Sequence, residues 1–195
     1  MSSDKEDRLL DTAFKLFTEK GITDTSIQEI VDNANVAKGT FYIYFKDKYE
    51  IRDILISRKT KKLFDESIKA LKNNYIKNFP DQVIFVVNYI IDELNSAPTL
   101  LKFISKNLSW GIYNQTVHKL TKDIENDEIG FYHLFIENAA KYNLKEPDII
   151  LFMIVELVSA TCYQSILYKK PVPIDKFKPY LYDTIRNLLN NNRND

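Results

Sequence analysis

The stretch Thr25–Lys48, TSIQEIVDNANVAKGTFYIYFKDK, constrains the fold more than any other part of the chain. Thr25 and Gln28 have the T-x-x-Q spacing of a capping box, which satisfies the free N–H groups of a helix start. Ile27, Ile30, Val31 and Ala34 then recur on one face, so a short helix with a single buried side is expected. Asn33 and Asn35 mark its end, because asparagine tolerates the left-handed geometry of a tight turn. Val36 follows as an apolar plug, and a second short helix runs from about Ala37 to Phe45. Phe41 and Phe45, four apart, face inward; Lys38, Thr40, Tyr42 and Tyr44 point elsewhere. Asp47 and Glu50 form another capping pair, so a further helix opens at Lys48.

The flanks fit around this stretch. Upstream, Leu10, Ala13, Phe14 and Phe17 make one apolar stripe on a helix from Lys5 to Lys20, which Gly21 stops. Downstream, the helix from Lys48 to about Asn73 changes phase. Ile51, Ile54 and Leu55 share one face; Phe64, Ile68, Leu71 and Tyr75 share another, so the helix connects two packing units, with a break near Arg58–Lys62 as the alternative. Pro80 and Pro98 suit first turns of helices, and more helices are expected over Thr99–His118 and Thr121–Tyr142. DIILFMIVELVSATCYQSILY, after Pro147, is apolar almost all round and belongs to a core or an interface. A last helix carries Leu181, Thr184, Ile185 and Leu188 from about Pro179, and the tail NNNRND is polar and frayed. The fold class is therefore all-α, as four glycines and six prolines in 195 residues also favour.

Composition excludes several functions. A single cysteine, Cys162, allows neither an internal disulfide nor a cysteine-based metal site. His118 and His133 lack carboxylates at zinc-like spacing, so no metal is expected. No cofactor motif and no nucleophile–base pair is visible, so the chain reads as no enzyme, with an enzyme kept only as a remote alternative. The apolar run Ile149–Val155 is far shorter than a membrane span and the N-terminus MSSDKEDR is no signal, so a cytoplasmic protein without membrane contact is expected. Net charge is zero, from 27 basic and 27 acidic residues, and the first fifty residues hold seven basic against ten acidic. Bulk charge therefore does not point to nucleic acid; local placement must.

Two short helices joined by a plugged turn form a helix-turn-helix, whose second helix fits a DNA major groove. Lys38, Gly39 and Thr40 are small or cationic at that helix's start, Tyr42 and Tyr44 carry hydroxyls for phosphate, Thr25 and Ser26 place hydroxyls at the preceding helix start, and Lys48 opens the next. The alternative is a helical hairpin with exposed tyrosines. In the body, Trp110, Tyr113, Tyr132, Phe152, Glu156 and Tyr163 are candidate pocket residues, although core or interface packing is the simpler account of each. Glu156 stands out as a carboxylate inside an apolar helix, in need of a partner or an edge.

Leu10, Ala13, Leu16, Phe17, Gly21, Thr25, Ile27, Ile30, Ala34, Val36 and the run KGTFYIYFKDK resemble the TetR family of bacterial regulators. The resemblance covers roughly the first fifty-five residues. Asn35 and Ala37 depart from it: the family has glycine in the turn and serine or threonine before the second helix. It implies about nine helices, with a three-helix head at residues 1–48 and a ligand-binding and dimerisation body at 49–195. It also implies a homodimer on a palindromic double-stranded operator, acting as a repressor that a small apolar or amphipathic effector releases. An activator, or a regulator gated by a protein partner, is the alternative.

Overall fold

The computed structural model describes residues 4–104 and 131–194. Among them are nine helices and no strand: α1 Asp4–Lys20, α2 Ile27–Ala34, α3 Lys38–Tyr44, α4 Lys48–Lys72, α5 Phe79–Ser96, α6 Pro98–Ile104, α7 Phe131–Lys141, α8 Pro147–Leu167 and α9 Ile174–Asn191. The chain divides into two compact units, Met1–Lys59 and Thr60–Asp195.

In the first unit, Leu9, Leu10, Ala13 and Phe17 of α1, Ile30, Val31 and Ala34 of α2, Phe41 and Phe45, and Ile51, Leu55 and Ile56 of α4 are buried, and α1 packs on α2 and α3. Gly21 ends α1 at φ +91, the left-handed conformation that costs glycine least. Lysine and arginine side chains on α4 tie it to α1: Arg58 donates to Glu6 (2.8 Å) and Asp7 (3.1 Å), and the Lys59 ammonium lies 4.4 Å from the Phe14 ring centre.

The second unit has a core of Leu63, Phe64 and Ile68 with the apolar faces of α5–α9. Helix α4 is unbroken through Arg58–Lys62, and its buried positions change from Ile51 and Leu55 to Leu63, Phe64, Ser67 and Ile68. Tyr75, expected on that later stripe, lies past the helix end and is 95% exposed. A polar ladder joins α5 and α9. Lys178 Nζ donates to Asn88 Oδ1 (2.9 Å) and to Asp92, the Tyr182 hydroxyl donates to the same Asn88 oxygen (2.5 Å), and Arg186 donates to Asp81 (2.6 Å). Positions 178, 182 and 186 are four apart, so one face of α9 makes all these bonds.

Helix α9 begins at Ile174, five residues before Pro179, near which the apolar spacing places its start. Pro179 instead lies inside the helix. Through Asn194 the tail is held and not frayed: Lys145 N donates to Asn192 O (2.7 Å), and Asn194 N to Asn143 O (2.9 Å). Arg193 also stacks 4.6 Å from the centre of the Tyr142 ring. By length and composition α8 alone among the described helices passes as a membrane span, at mean hydropathy 1.8. Its two sides differ, however. Ile150, Leu151, Ile154, Val155, Val158 and Cys162 are buried in the second unit, whereas Ile149, Phe152 and Met153 are exposed.

Candidate nucleic-acid interface

The α2–α3 corner is built by local hydrogen bonds. Ser26 caps α2: its Oγ accepts from Glu29 N (3.1 Å), while Glu29 Oε2 accepts from Ser26 N (2.9 Å) and from Ser26 Oγ (3.0 Å). The capping box is thus Ser26–Glu29, one residue later than the Thr25–Gln28 pair read from the sequence. The reason is that the Thr25 hydroxyl donates to Gly21 O (2.8 Å), and the residue is 1% exposed. Gln28 instead donates to Asp32, at 2.8 Å. Glu29 is also paired with Lys20, which together with Ser26 holds its carboxyl at about 2, well below the usual carboxylate range.

Asn35 makes the turn at φ 52 and ψ 53, the left-handed conformation expected of it. Its N–H donates to Asp32 O (3.2 Å), and Val36 N donates to Val31 O (3.0 Å). Ala37, the N-cap of α3, gives it no side-chain cap, as the loss of a hydroxyl there implied. Phe41 and Phe45 are buried, with ring centres 5.7 Å apart, and fix α3 against the core. Lys38, Gly39, Tyr42 and Ile43 are exposed on the other side; Thr40 and Tyr44 are half-buried. A Cβ placed on Gly39 would meet nothing within 4 Å.

The start of α4 is fixed by Asp47, whose Oδ1 accepts from Tyr49 N (2.8 Å) and Glu50 N (2.9 Å). Lys48 does not stand free there. Its Nζ donates to Thr23 O (2.9 Å) and Thr25 O (2.8 Å), tying α4 to the loop before α2.

The eight DNA candidates therefore fall into two groups. Lys38, Gly39, Thr40, Tyr42 and Tyr44 lie together on α3. Thr25, Ser26 and Lys48 have donors already engaged within the fold, and the anion position at the start of α2 holds the Glu29 carboxylate. Sequence reasoning missed Ile43, which is 77% exposed on α3, because an isoleucine carries no polar signal.

The pocket candidates fare differently. Trp110 and Tyr113 lie outside the described residues. Phe152 and Glu156 are on the exposed side of α8, Tyr132 donates its hydroxyl to Asp148, and Tyr163 packs edge-on to Tyr168 at 6.0 Å. None of these four lines either of two apolar voids in the second unit. One, of about 30 Å³, is walled by Phe64, Val83, Val86, Phe131, Leu151 and Val155 among others. The other, of about 20 Å³, shares Val83, Val86 and Phe131 and reaches Gln82 and Asn138. Each exceeds the space of a water but holds no effector as it stands. Aliphatic wall residues look like any core residue in a sequence, so nothing distinguished them. Among the described residues no His, Cys, Asp and Glu side chains gather as a metal site. Burial pushes the Cys162 thiol up to about 12, which removes it as a nucleophile.

Residues 9–53 match the family model described as bacterial regulatory proteins, tetR family. Over 192 residues the chain is 25% identical to YhgD of Bacillus subtilis (strain 168), a helix-turn-helix-type transcriptional regulator that is itself uncharacterized, with 97% of this chain and 94% of YhgD covered. A structure described as a TetR-family transcription regulator from Shewanella sp. PV-4 has the same fold, with a TM-score of 0.70 at 17% identity over 99% of this chain and 100% of that one. Residues 9–53 thus carry the TetR-family helix-turn-helix, on a chain that shares the fold of a TetR-family structure throughout. The chain carries the DNA-binding helix-turn-helix of a transcriptional regulator, and the relatives it matches are regulators rather than enzymes. A further structure of the same fold is the regulator FadR from Bacillus subtilis in complex with stearoyl-CoA, with a TM-score of 0.65 at 16% identity over 94% of this chain and 97% of FadR.

Proposed function

We propose that this chain is a TetR-family regulator, a cytoplasmic homodimeric repressor that sets α3 of each copy into the major groove of a palindromic operator and leaves it when an amphipathic effector enters the second unit. The observation that carries the reading is the two-sidedness of α3: Phe41 and Phe45 lock one side into the core, and Lys38, Gly39 and Tyr42 stand exposed on the other. Such a helix is held rigidly and presents small, cationic and hydroxyl groups outward, as groove entry requires. Thr40 and Tyr44 flank that face. Lys48 and Thr25 act one step back, by fixing the loop before α2, and Ser26 reaches phosphate only by turning its hydroxyl away from Glu29.

Two observations support the rest. The exposed side of α8, with Ile149, Phe152 and Met153, and exposed Tyr180 on α9 suit a second copy of the chain. The two adjoining apolar voids, with Phe131 lining both, suit an apolar chain that enters by displacing wall side chains. An effector that must repack its walls binds the repacked state better, and differential affinity of that kind moves a conformational equilibrium. The stearoyl-CoA held by FadR favours a long acyl thioester as the first effector to try.

The test begins by enriching duplexes from a random pool with the full chain. Enrichment of a palindrome is expected, and Tyr42→Phe should weaken its binding evenly across sequences and lower the salt slope. Stearoyl-CoA should release the duplex while CoA alone should not. A duplex that remains bound with stearoyl-CoA and with other acyl chains present would point to gating by a protein partner instead. Replacing Phe152 and Met153 together by glutamate should turn a dimer into a monomer in light scattering.

A further inference from the structure

Helix α3 presents one group that the proposed DNA contacts do not use. Ile43 is 77% exposed. The other large apolar side chains exposed among the described residues of the first unit are Tyr42 and Tyr49, which both carry hydroxyls. Ile43 has none, and it takes no part in the core that Phe41 and Phe45 build beneath it. It lies one turn after Gly39 on the same face, where a Cβ would find open space. Gly39 has ordinary helical geometry, so the fold itself asks for no glycine there, and a glycine within a helix weakens it. The pair leaves a shallow step: bare backbone at 39, a branched aliphatic group at 43, with Lys38 and Tyr42 alongside.

The major groove narrows what that step can meet. Base edges there present hydrogen-bond donors and acceptors, and the C5 methyl of thymine is the apolar group among them. An isoleucine pressed on donors or acceptors strips their water and offers nothing in return. Pressed on a thymine methyl, it buries apolar surface on both sides. Resting on the reading of α3 as the groove-entering helix, we infer that Ile43 is a specificity-determining residue that reads a thymine methyl in each half-site, with Gly39 letting the base edge approach the helix backbone.

The experiment uses the duplex enriched by the wild-type chain. Each thymine is replaced in turn by deoxyuridine, which removes only the methyl group, and affinity is measured for the wild type and for Ile43→Ala. At a thymine in each half-site the wild type should lose about fourfold per half-site, the worth of one buried methyl group. Ile43→Ala should bind the parent duplex more weakly and be indifferent to that same replacement. Ile43→Val should keep most of the sensitivity. Since Ile43 is exposed, the thermal midpoints of all three proteins should agree, which separates lost reading from lost folding. Identical deoxyuridine profiles for the wild type and Ile43→Ala would overturn the inference while leaving the DNA-binding reading intact. Failure to enrich any duplex would overturn both.

Discussion

The two units hold their helices by different means. In the first, helix starts are pinned by side chains a few residues away: Ser26 and Glu29 at α2, Asp47 at α4. In the second, the N-cap residues of α5, α8 and α9, Asn78, Glu146 and Pro173, make no side-chain cap bond. Their order comes from a large core and from bonds between residues far apart in the chain, such as Lys178 with Asn88. The difference follows from size. A small unit buries little apolar surface, so local bonds must supply what the core cannot. It also suits the two proposed tasks: a helix that enters a groove is best held in one pose, whereas helices lining an effector site would need two packings of similar free energy.

Removing the centre of the small core should have the largest effect. Phe41 is fully buried and touches both the inner and outer aromatic groups of α3, with ring centres 5.3 Å from Tyr42 and 5.7 Å from Phe45. Phe41→Ala should cost about 3–5 kcal/mol, which is much of what a domain this small possesses. Loss of DNA binding and a low-denaturant transition in a urea titration are the expected readouts. Retention of both would break the claim that α3 is posed by this core.

Next comes the polar ladder of the second unit. Asn88→Ala deprives the Tyr182 hydroxyl of its acceptor and leaves Lys178, whose side chain is 15% exposed, with Asp92 alone. Tyr182 cannot escape by ionising, because burial first and the Asp92 charge second raise its pKa above the ordinary value. A loss of about 1–3 kcal/mol is expected, the cost of buried polar groups left without partners. A urea midpoint within experimental error of the wild type would show that the core alone aligns α5 and α9.

The same contrast explains what could be read from the residues. Glycine at 21, asparagine at 35, the inward Phe41 and Phe45 and the cap at Asp47 act within a few positions of themselves, and each was legible. The Ser26 cap was displaced by one residue because Thr25 is claimed by Gly21 O, a contact across the preceding loop. Lys48 read as a phosphate donor because nothing local shows that Thr23 and Thr25 carbonyls reach it. In the second unit α5 and α8 were legible from their apolar patterns, as were α6 and α7 where described; the rest of the helices expected over Thr99–His118 and Thr121–Tyr142 lies outside the described residues. The walls of the voids were not, since Val83 and Val86 differ from other core valines only in what lies opposite them. The start of α9 was placed too late because the stripe from Leu181 to Leu188 shows only its later turns, and Pro179 sits inside the helix.

A smaller change sharpens the comparison from the other side. Of the starts of α2, α3 and α4, that of α3 is the one without a side-chain cap, at Ala37. Ala37→Ser should supply the acceptor and raise stability by about 1 kcal/mol. Asp47→Ala should lower it by a similar amount, through two lost backbone bonds. Thermal melts of the two variants should move in opposite directions. If both move little, local capping does not carry the first unit.

The smallest effect expected is a pH dependence at the start of α2. Lys20, then the backbone and hydroxyl of Ser26, hold the Glu29 carboxyl at about 2 against an ordinary 4.5. A carboxyl with a depressed folded pKa contributes stability that is complete above its unfolded pKa. The contribution fades as pH falls from about 4.5 towards about 2, where the folded form also takes the proton. Glu29 is at the surface, so solvent and salt screen the pair and the shift in melting temperature should be slight. The diagnostic is the shape: the wild type should lose stability through that window more steeply than Glu29→Gln, and the two curves should converge at its acid end apart from a constant offset. Parallel curves would mean that Glu29 caps α2 without its charge, and that the start of α2 is held by hydrogen-bond geometry alone.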